Sequence, residues 1–292
     1  MPNFPIIDPH LHIWDRSLMS YPWLPDVPKL NRDFSINDYN AAVAPVVVDT
    51  LVFVQCEVDR SQFLIEADYV AEQAKLDPRI AGLVAWAPVE KGRAVAEDLE
   101  ALSGHKIFRG VRQIIEFERD PEFCLRPSVI EGVQTVGAHG LSFDICINHR
   151  QLPKVIEFAR LCPDVPMVLD HVGKPDVRNG TLDPWRDQLR ELGRCGNVYC
   201  KLSSLPTEAD HSAWTVAQVR PFIDAAVDSF GFDRLMYAGD WPVSSQAVML
   251  PRWVETVDTV LSGVGEADLK KLYRDTATAF YRLGRERTGP KS

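Results

Sequence analysis

The chain has 292 residues, of which 46% are hydrophobic, 25% charged and 9% aromatic, enough apolar side chain to bury a large core and too much for a disordered chain. A formal net charge of −9 without a basic stripe excludes the clustered Lys and Arg that nucleic acid or an anionic membrane requires. The expected partner is therefore a small molecule, neutral or weakly anionic.

The amino terminus has no basic segment followed by an apolar stretch, and no run approaches the roughly 18 apolar residues of a bilayer span. The six cysteines (Cys56, Cys124, Cys146, Cys162, Cys195 and Cys200) lack CxxC spacing and read as reduced core thiols. The cytoplasm is the expected compartment.

Taken in chain order, the first apolar, strand-like run is Ile6 to His12. A Pro- and aromatic-rich stretch without a period follows and predicts a long loop over residues 14–34, placed to cap a site. Leu51 to Glu57 is the second strand candidate, and Ser61 precedes the helical spacing of Phe63, Ala67, Val70 and Ala74. Ile80 to Trp86 and Ile107 to Gln113 come next, and Pro127 marks a first helical turn. After Leu141 to Ile147, Pro153 opens the run carrying Val155, Ile156, Phe158 and Ala159. Met167 to His171, Val198 to Leu202 and Leu235 to Asp240 complete eight candidates, with Gly231 closing the last intervening helix.

Strands apolar on both faces, alternating with helical stretches, indicate a parallel sheet covered by helices. Eight such units predict a single (β/α)8 TIM-type barrel over residues 1–284, in preference to a doubly wound open sheet, with a polar tail at 285–292. Self-association into a symmetric homo-oligomer is only a base-rate expectation.

The chemistry-bearing residues fall at strand ends. His10 and His12 lie two residues apart on the first strand, so the period of two turns both imidazoles to one face, a recognised grip for a divalent cation. His171 ends the sixth candidate and Asp240 the eighth. In a closed barrel the eighth strand adjoins the first, so all four can share the C-terminal mouth, where barrel enzymes keep their chemistry. The competing interpretation is structural, with His171 bonded to a carbonyl and Asp240 capping a turn. Gln55, Trp86, Arg112 and Asp144, on or near ends of other strands, are candidate substrate contacts, as are His149 and Lys174. No GxSxG elbow, GxxxxGK[ST] loop or GxGxxG turn is present.

The ordered set of HxH (10–12), DHVGKP (170–175), CKLS (200–203) and GDWPV (239–243), with FRGVRQ (108–113) and RQLP (150–153), resembles the amidohydrolase superfamily. The match is to its lactonase-like branch, the sugar lactonases of the L-fuconolactonase kind, and it runs from about Ile7 to Tyr281. The resemblance implies a hydrolase that opens the lactone of a small sugar acid. Asp240 would accept a proton from water while His10, His12 and His171 position it.

A single divalent ion held by His10, His12, His171 and Asp240, zinc by ligand type, is the expected cofactor, although members of this kind with the same histidines act without one. The fourth strand offers Arg109 and Arg112 but no bridging lysine or glutamate, which argues against two metals. Gly239 stands where related sequences often have serine. The alternatives are a metal-dependent decarboxylase of the same superfamily, a lactonase for a carboxylated non-sugar lactone, and a barrel kept only for binding or assembly.

Overall fold

The computed structural model describes residues 2–284. Eight parallel strands follow one another in the order β1 to β8. They are β1 (Ile6–Leu11), β2 (Val48–Val54), β3 (Ile80–Ala85), β4 (Phe108–Ile114), β5 (Ser142–Cys146), β6 (Met167–Leu169), β7 (Val198–Leu202) and β8 (Leu235–Tyr237). Their helices are α1 (Ile36–Val43), α2 (Phe63–Leu76), α3 (Val95–Leu102), α4 (Pro127–Ala138), α5 (Leu152–Leu161), α6 (Trp185–Leu192), α7 (Val216–Arg234) and α8 (Leu250–Val260). This is the expected (β/α)8 barrel. Among the described residues no helix is long and apolar enough to cross a membrane, and all six cysteines are free.

The barrel closes just beyond β8. Asp240 N–H donates to the His10 carbonyl and His12 N–H to that of Trp241, both at 2.9 Å. At the opposite end the chain returns through α9 (Glu266–Lys270) and α10 (Thr276–Phe280). There Phe280, Tyr281 and Leu283 pack onto Ile7, Val52, Val54, Val84, Val168 and Met236 as a second apolar cluster inside the main core. One end of the barrel is thereby plugged, and chemistry is confined to the other.

Local sequence explains most element starts. Ser35 and Asp38 form a reciprocal cap on α1, Pro127 opens α4 and Pro153 sits in the first turn of α5. Two details differ from expectation. Asp59, not Ser61, supplies the capping oxygen before α2, by accepting from Ser61 N–H at 3.0 Å. At Gly231 the chain takes φ of 59° and ψ of 178°, so the break lies within α7 and a last turn follows it.

The predicted loop is a packed cover. Trp14 bridges to Phe34, Trp23 Nε1 donates to the Cys56 carbonyl at 2.8 Å, and Phe34 and Tyr39 stand edge-on to Trp241 at 5.4 and 5.5 Å. The tail at 285–292 lies outside the described residues.

Gly110 on β4 lies where a neighbouring strand comes very close: an added Cβ would stand 2.3 Å from Ser142 Oγ and 2.9 Å from its carbonyl oxygen. Gly110→Ala should therefore destabilise the barrel by about 1–3 kcal/mol, as overpacking does. Urea unfolding would reveal this, and an unchanged midpoint would show that β4 and β5 can spread without cost.

Candidate active site

The path of β1 sets the site. Ile7 belongs to the inner cluster, and three residues on His10 also faces inward, which strict alternation would forbid. A register shift against β2 between Asp8 and Leu11 resolves the parity. Asp8 accepts from Gly239 N–H at 2.8 Å, from His10 N–H at 3.2 Å and from Tyr39 OH at 3.0 Å. An added Cβ on Gly239 would lie 2.3 Å from Asp8 Oδ2, so a glycine here lets this carboxylate pin β1 to β8.

His10 and His12 share a face as the spacing required, with their Nε2 atoms 3.1 Å apart. His171 and Asp240 arrive differently. The regular strands end at Leu169 and Tyr237, short of the expected ends, and both residues lie in the turns beyond, with φ of 53° and 54°. Glu57, Val172, Lys174 and Ser204 share this left-handed conformation at 47–54°. Each follows a strand at its C-terminal end. Such residues cost on the order of 1–3 kcal/mol each and persist where surrounding structure holds them.

The result is a narrow pit. Asp240 Oδ1 lies 3.3 Å from His12 Nε2, 3.5 Å from His10 Nε2 and 3.9 Å from His171 Nε2. The side chain of His10 is fully buried, whereas those of His12, His171 and Asp240 keep 4%, 6% and 3% exposure, so the pit opens on their side. Ser204 Oγ donates to Asp240 Oδ2.

The other ring nitrogens are all occupied. His12 Nδ1 is 2.7 Å from the Val54 carbonyl, His171 Nδ1 is 2.8 Å from Ser203 Oγ, and His10 Nδ1 is 3.4 Å from Asp170 Oδ1. A carbonyl can only accept, so neutral His12 carries its proton on Nδ1 and turns a lone pair toward Asp240.

Beneath the pit lies an ionic core that sequence reasoning missed. Lys201, in the middle of β7 and fully buried, donates to Asp144 Oδ2 at 2.7 Å and lies 3.0 Å from Asp170 Oδ1 and 3.1 Å from His10 Nδ1. Tyr281 OH donates to Asp144 at 2.5 Å. Arg112 Nη1 lies 3.2 Å from His10 Nε2 and 3.7 Å from Asp170, and its Nη2 donates to the Gln55 carbonyl.

Electrostatics follow from this packing. Burial opposes the Lys201 charge, but Asp144 and Asp170 outweigh it and hold the ammonium above its usual range. Burial likewise pushes Asp170 up, but Lys201 and His10 bring it well below an ordinary carboxylate. Burial, with Lys201 beside it, drives His10 well down, and burial takes His171 to about 4, so both imidazoles are neutral near pH 7. For Asp240 burial favours the acid, but its contacts with His171, His12 and His10 outweigh burial and set the carboxyl below the ordinary range.

The predicted substrate contacts are scattered by depth. Arg112 reaches the pit. Gln55 offers its carbonyl there, while its side chain is tied to Glu57 at 2.8 Å. Asp144 is fully buried and bound to Lys201 and Tyr281, so it supports the floor and does not meet substrate. Trp86 is buried edge-on against Phe63 at 5.4 Å. Lys174 and His149 lie on the rim, His149 Nδ1 being 2.9 Å from the Lys174 carbonyl.

The donor set fits a cation. Among the described residues two clusters of potential ligands are formed, His10 with His12 and Asp240, and His10 with Asp170 and His171. In a tetrahedral site with bonds of about 2.0–2.1 Å, neighbouring ligand atoms lie roughly 3.3 Å apart. The His12 and His10 separations from Asp240 match that edge. Arg112, aimed at the same His10 nitrogen, is the one group that contends for the position.

Residues 7–283 match the model of the amidohydrolase family. The chain is 31% identical to the L-fucono-1,5-lactonase of Burkholderia multivorans over 95% of this chain and 96% of that protein. It is also 31% identical to the L-fucono-1,5-lactonase of Burkholderia ambifaria, over 82% and 81%. A crystal structure of an amidohydrolase from Burkholderia multivorans with bound zinc superposes with a TM-score of 0.87 at 30% identity, over 96% of this chain and all of that one. The chain belongs to the amidohydrolase family.

Lys201→Met should cost about 3–5 kcal/mol of stability, because Asp144 and Asp170 would be left buried without their partner. Adding Asp144→Asn should restore part of the loss. A single variant as stable as the parent in thermal unfolding would show that the lysine is not what neutralises the floor.

Proposed function

We propose that the protein is a lactonase that opens the ring of a small sugar-acid lactone. The reading rests on one observation above all, the convergence of an ionised carboxylate, Asp240, with three imidazole Nε2 atoms in a pit at the barrel mouth. The two lactonase relatives agree with it in chemistry and in coverage of the chain.

Lactone hydrolysis needs a water stripped of a proton and positive charge beside the developing oxyanion. Asp240 takes the proton on Oδ1, the oxygen that faces the pit, while its Oδ2 is held by Ser204. His12 is fixed by Val54 and His171 by Ser203, so both rings are oriented before substrate arrives. The proton taken by Asp240 then passes to the departing ring oxygen, with neutral His171, at the open side and 3.9 Å from Asp240 Oδ1, placed to relay it. Arg112, a permanent cation within reach of His10, faces the carbonyl oxygen as charge builds on it.

His10, His12, His171 and Asp240 would hold a single divalent ion, zinc by donor type, with Lys201 and Asp170 orienting His10 behind it. When bound, the ion lowers the pKa of water and polarises the carbonyl.

Asp240→Asn should lower kcat for lactone opening by roughly a hundred- to ten-thousand-fold, the usual scale for loss of a general base, with a near-parental thermal midpoint. Retained turnover would remove Asp240 from this role. Dialysis against a chelator should strip one equivalent of metal and reduce activity, and zinc should restore it. Full activity in metal-free protein, with no stoichiometric ion in the active enzyme by elemental analysis, would limit the reaction to the side chains alone. Carbon dioxide release from hydroxybenzoates, measured beside acid release from lactones, separates the decarboxylase alternative.

A further inference from the structure

His10 stands between two cations, and its neutral ring has one lone pair to give. Lys201 Nζ is 3.1 Å from Nδ1, and Arg112 Nη1 is 3.2 Å from Nε2. One ring nitrogen carries the proton, so only the other can accept. The neighbours decide which. Lys201 also has Asp144 at 2.7 Å and Asp170 at 3.0 Å, whereas Arg112 Nη1 meets Asp170 at 3.7 Å, beyond a hydrogen bond. Asp170 Oδ1, an acceptor, lies 3.4 Å from Nδ1. The proton therefore sits on Nδ1, toward Asp170, and the Nε2 lone pair goes to Arg112.

The pit then contains three electron-pair donors that face one another. His10 Nε2 lies 3.1 Å from His12 Nε2 and 3.5 Å from Asp240 Oδ1, and His12 Nε2 lies 3.3 Å from the same oxygen. Bare lone pairs at such distances repel unless a positive group joins them. Arg112 is that group. Lys201 is paired with Asp144 and Asp170, and Lys174 on the rim with Glu116, so among the described residues Arg112 is the cation left facing the pit.

Arg112 is also held in place. It is buried, and its Nη2 donates to the Gln55 carbonyl. Its Nε has no hydrogen-bond partner among the described residues, so the contact with His10 is one of few that satisfy the guanidinium. An ion entering the pit is drawn by Asp240 and opposed by Arg112, and both bear on the same His10 nitrogen.

We propose that Arg112 occupies the cation position of the pit, so that guanidinium and divalent ion exclude each other at His10 Nε2 and Arg112 sets how tightly the ion is held. This rests on the single-ion reading given above and is independent of which substrate the pit takes. Binding the ion breaks the bond from Arg112 to His10 and leaves a buried guanidinium short of a partner beside a like charge. The donors therefore hold an ion more weakly than they would without the arginine.

The test measures the Kd for zinc by competition with a chromophoric chelator at fixed pH, for the parent, Arg112→Met, Arg112→Lys, and Arg112→Met combined with Asp240→Asn. Arg112→Met should lower the Kd about tenfold or more, equivalent to about 1.4 kcal/mol. Arg112→Lys keeps a cation beside Asp170 to support folding, but lacks the fork that reaches Gln55 and His10 together, and should tighten zinc by a smaller factor. Adding Asp240→Asn should abolish the gain, since the tightened ion sits in the pit. A parental Kd in the folded methionine variant, or in the lysine variant should that alone fold, would overturn the proposal, as would a gain that survives Asp240→Asn. Zinc binding by neither parent nor variants would end the single-ion reading and this inference together. Failure of the parent to open any lactone would end the lactonase reading and leave the zinc affinities to decide this one.

Discussion

The site depends on a lysine at a position where a lysine should not be tolerated. Lys201 is fully buried in the barrel interior, and only its pairing with Asp144 and Asp170 makes its charge bearable there. The same arrangement does more than neutralise a charge. Asp170 and Lys201 meet at His10 Nδ1, so the deepest imidazole is fixed in its ring plane from behind. Tyr281, delivered by the chain segment that plugs the opposite end, bonds Asp144 and so connects that plug to the floor of the pit. Core and candidate site are therefore joined in one hydrogen-bonded network.

Above this floor, precision comes from strain and not from strand geometry. His171 and Asp240 are outside the regular ladder, in left-handed turns that the fold must enforce. Each is held by a hydroxyl from the β7 loop, Ser203 for His171 and Ser204 for Asp240. Asp8 does the corresponding work at the β1/β8 seam, where the barrel closes. His171 and Asp240, which follow the two strands flanking β7, are thus oriented by consecutive serines that follow β7, which couples their positions.

The barrel was legible because its strands are apolar on both faces and its helices carry a clear period. All eight strand candidates correspond to observed strands, with ends displaced by a few residues. His10, His12, His171 and Asp240 were legible because each closes an apolar run. Lys201 and Asp170 were not, because a charged residue inside a strand reads as an interruption until its partners on other strands are known. The signal was nevertheless present: a lysine within VYCKL, on a strand covered on both faces, requires a buried counter-ion. Asp144 was assigned to the mouth for want of that partner. Glu116 escaped notice because surface glutamates are common, and only the fold brings it to Lys174.

Floor and rim obey different physics, which divides the evolutionary freedom of the molecule. On the floor each charge has a buried partner, so replacing one group strands another, and substitutions there must come in compensating sets. On the rim Lys174 and Glu116 remain partly open to water, so one charge can be exchanged at small cost to stability. The cluster of Asp240 and the imidazoles can therefore persist while the rim is revised one residue at a time. A family built on this plan should diverge in the lactone it accepts sooner than in the way it opens one.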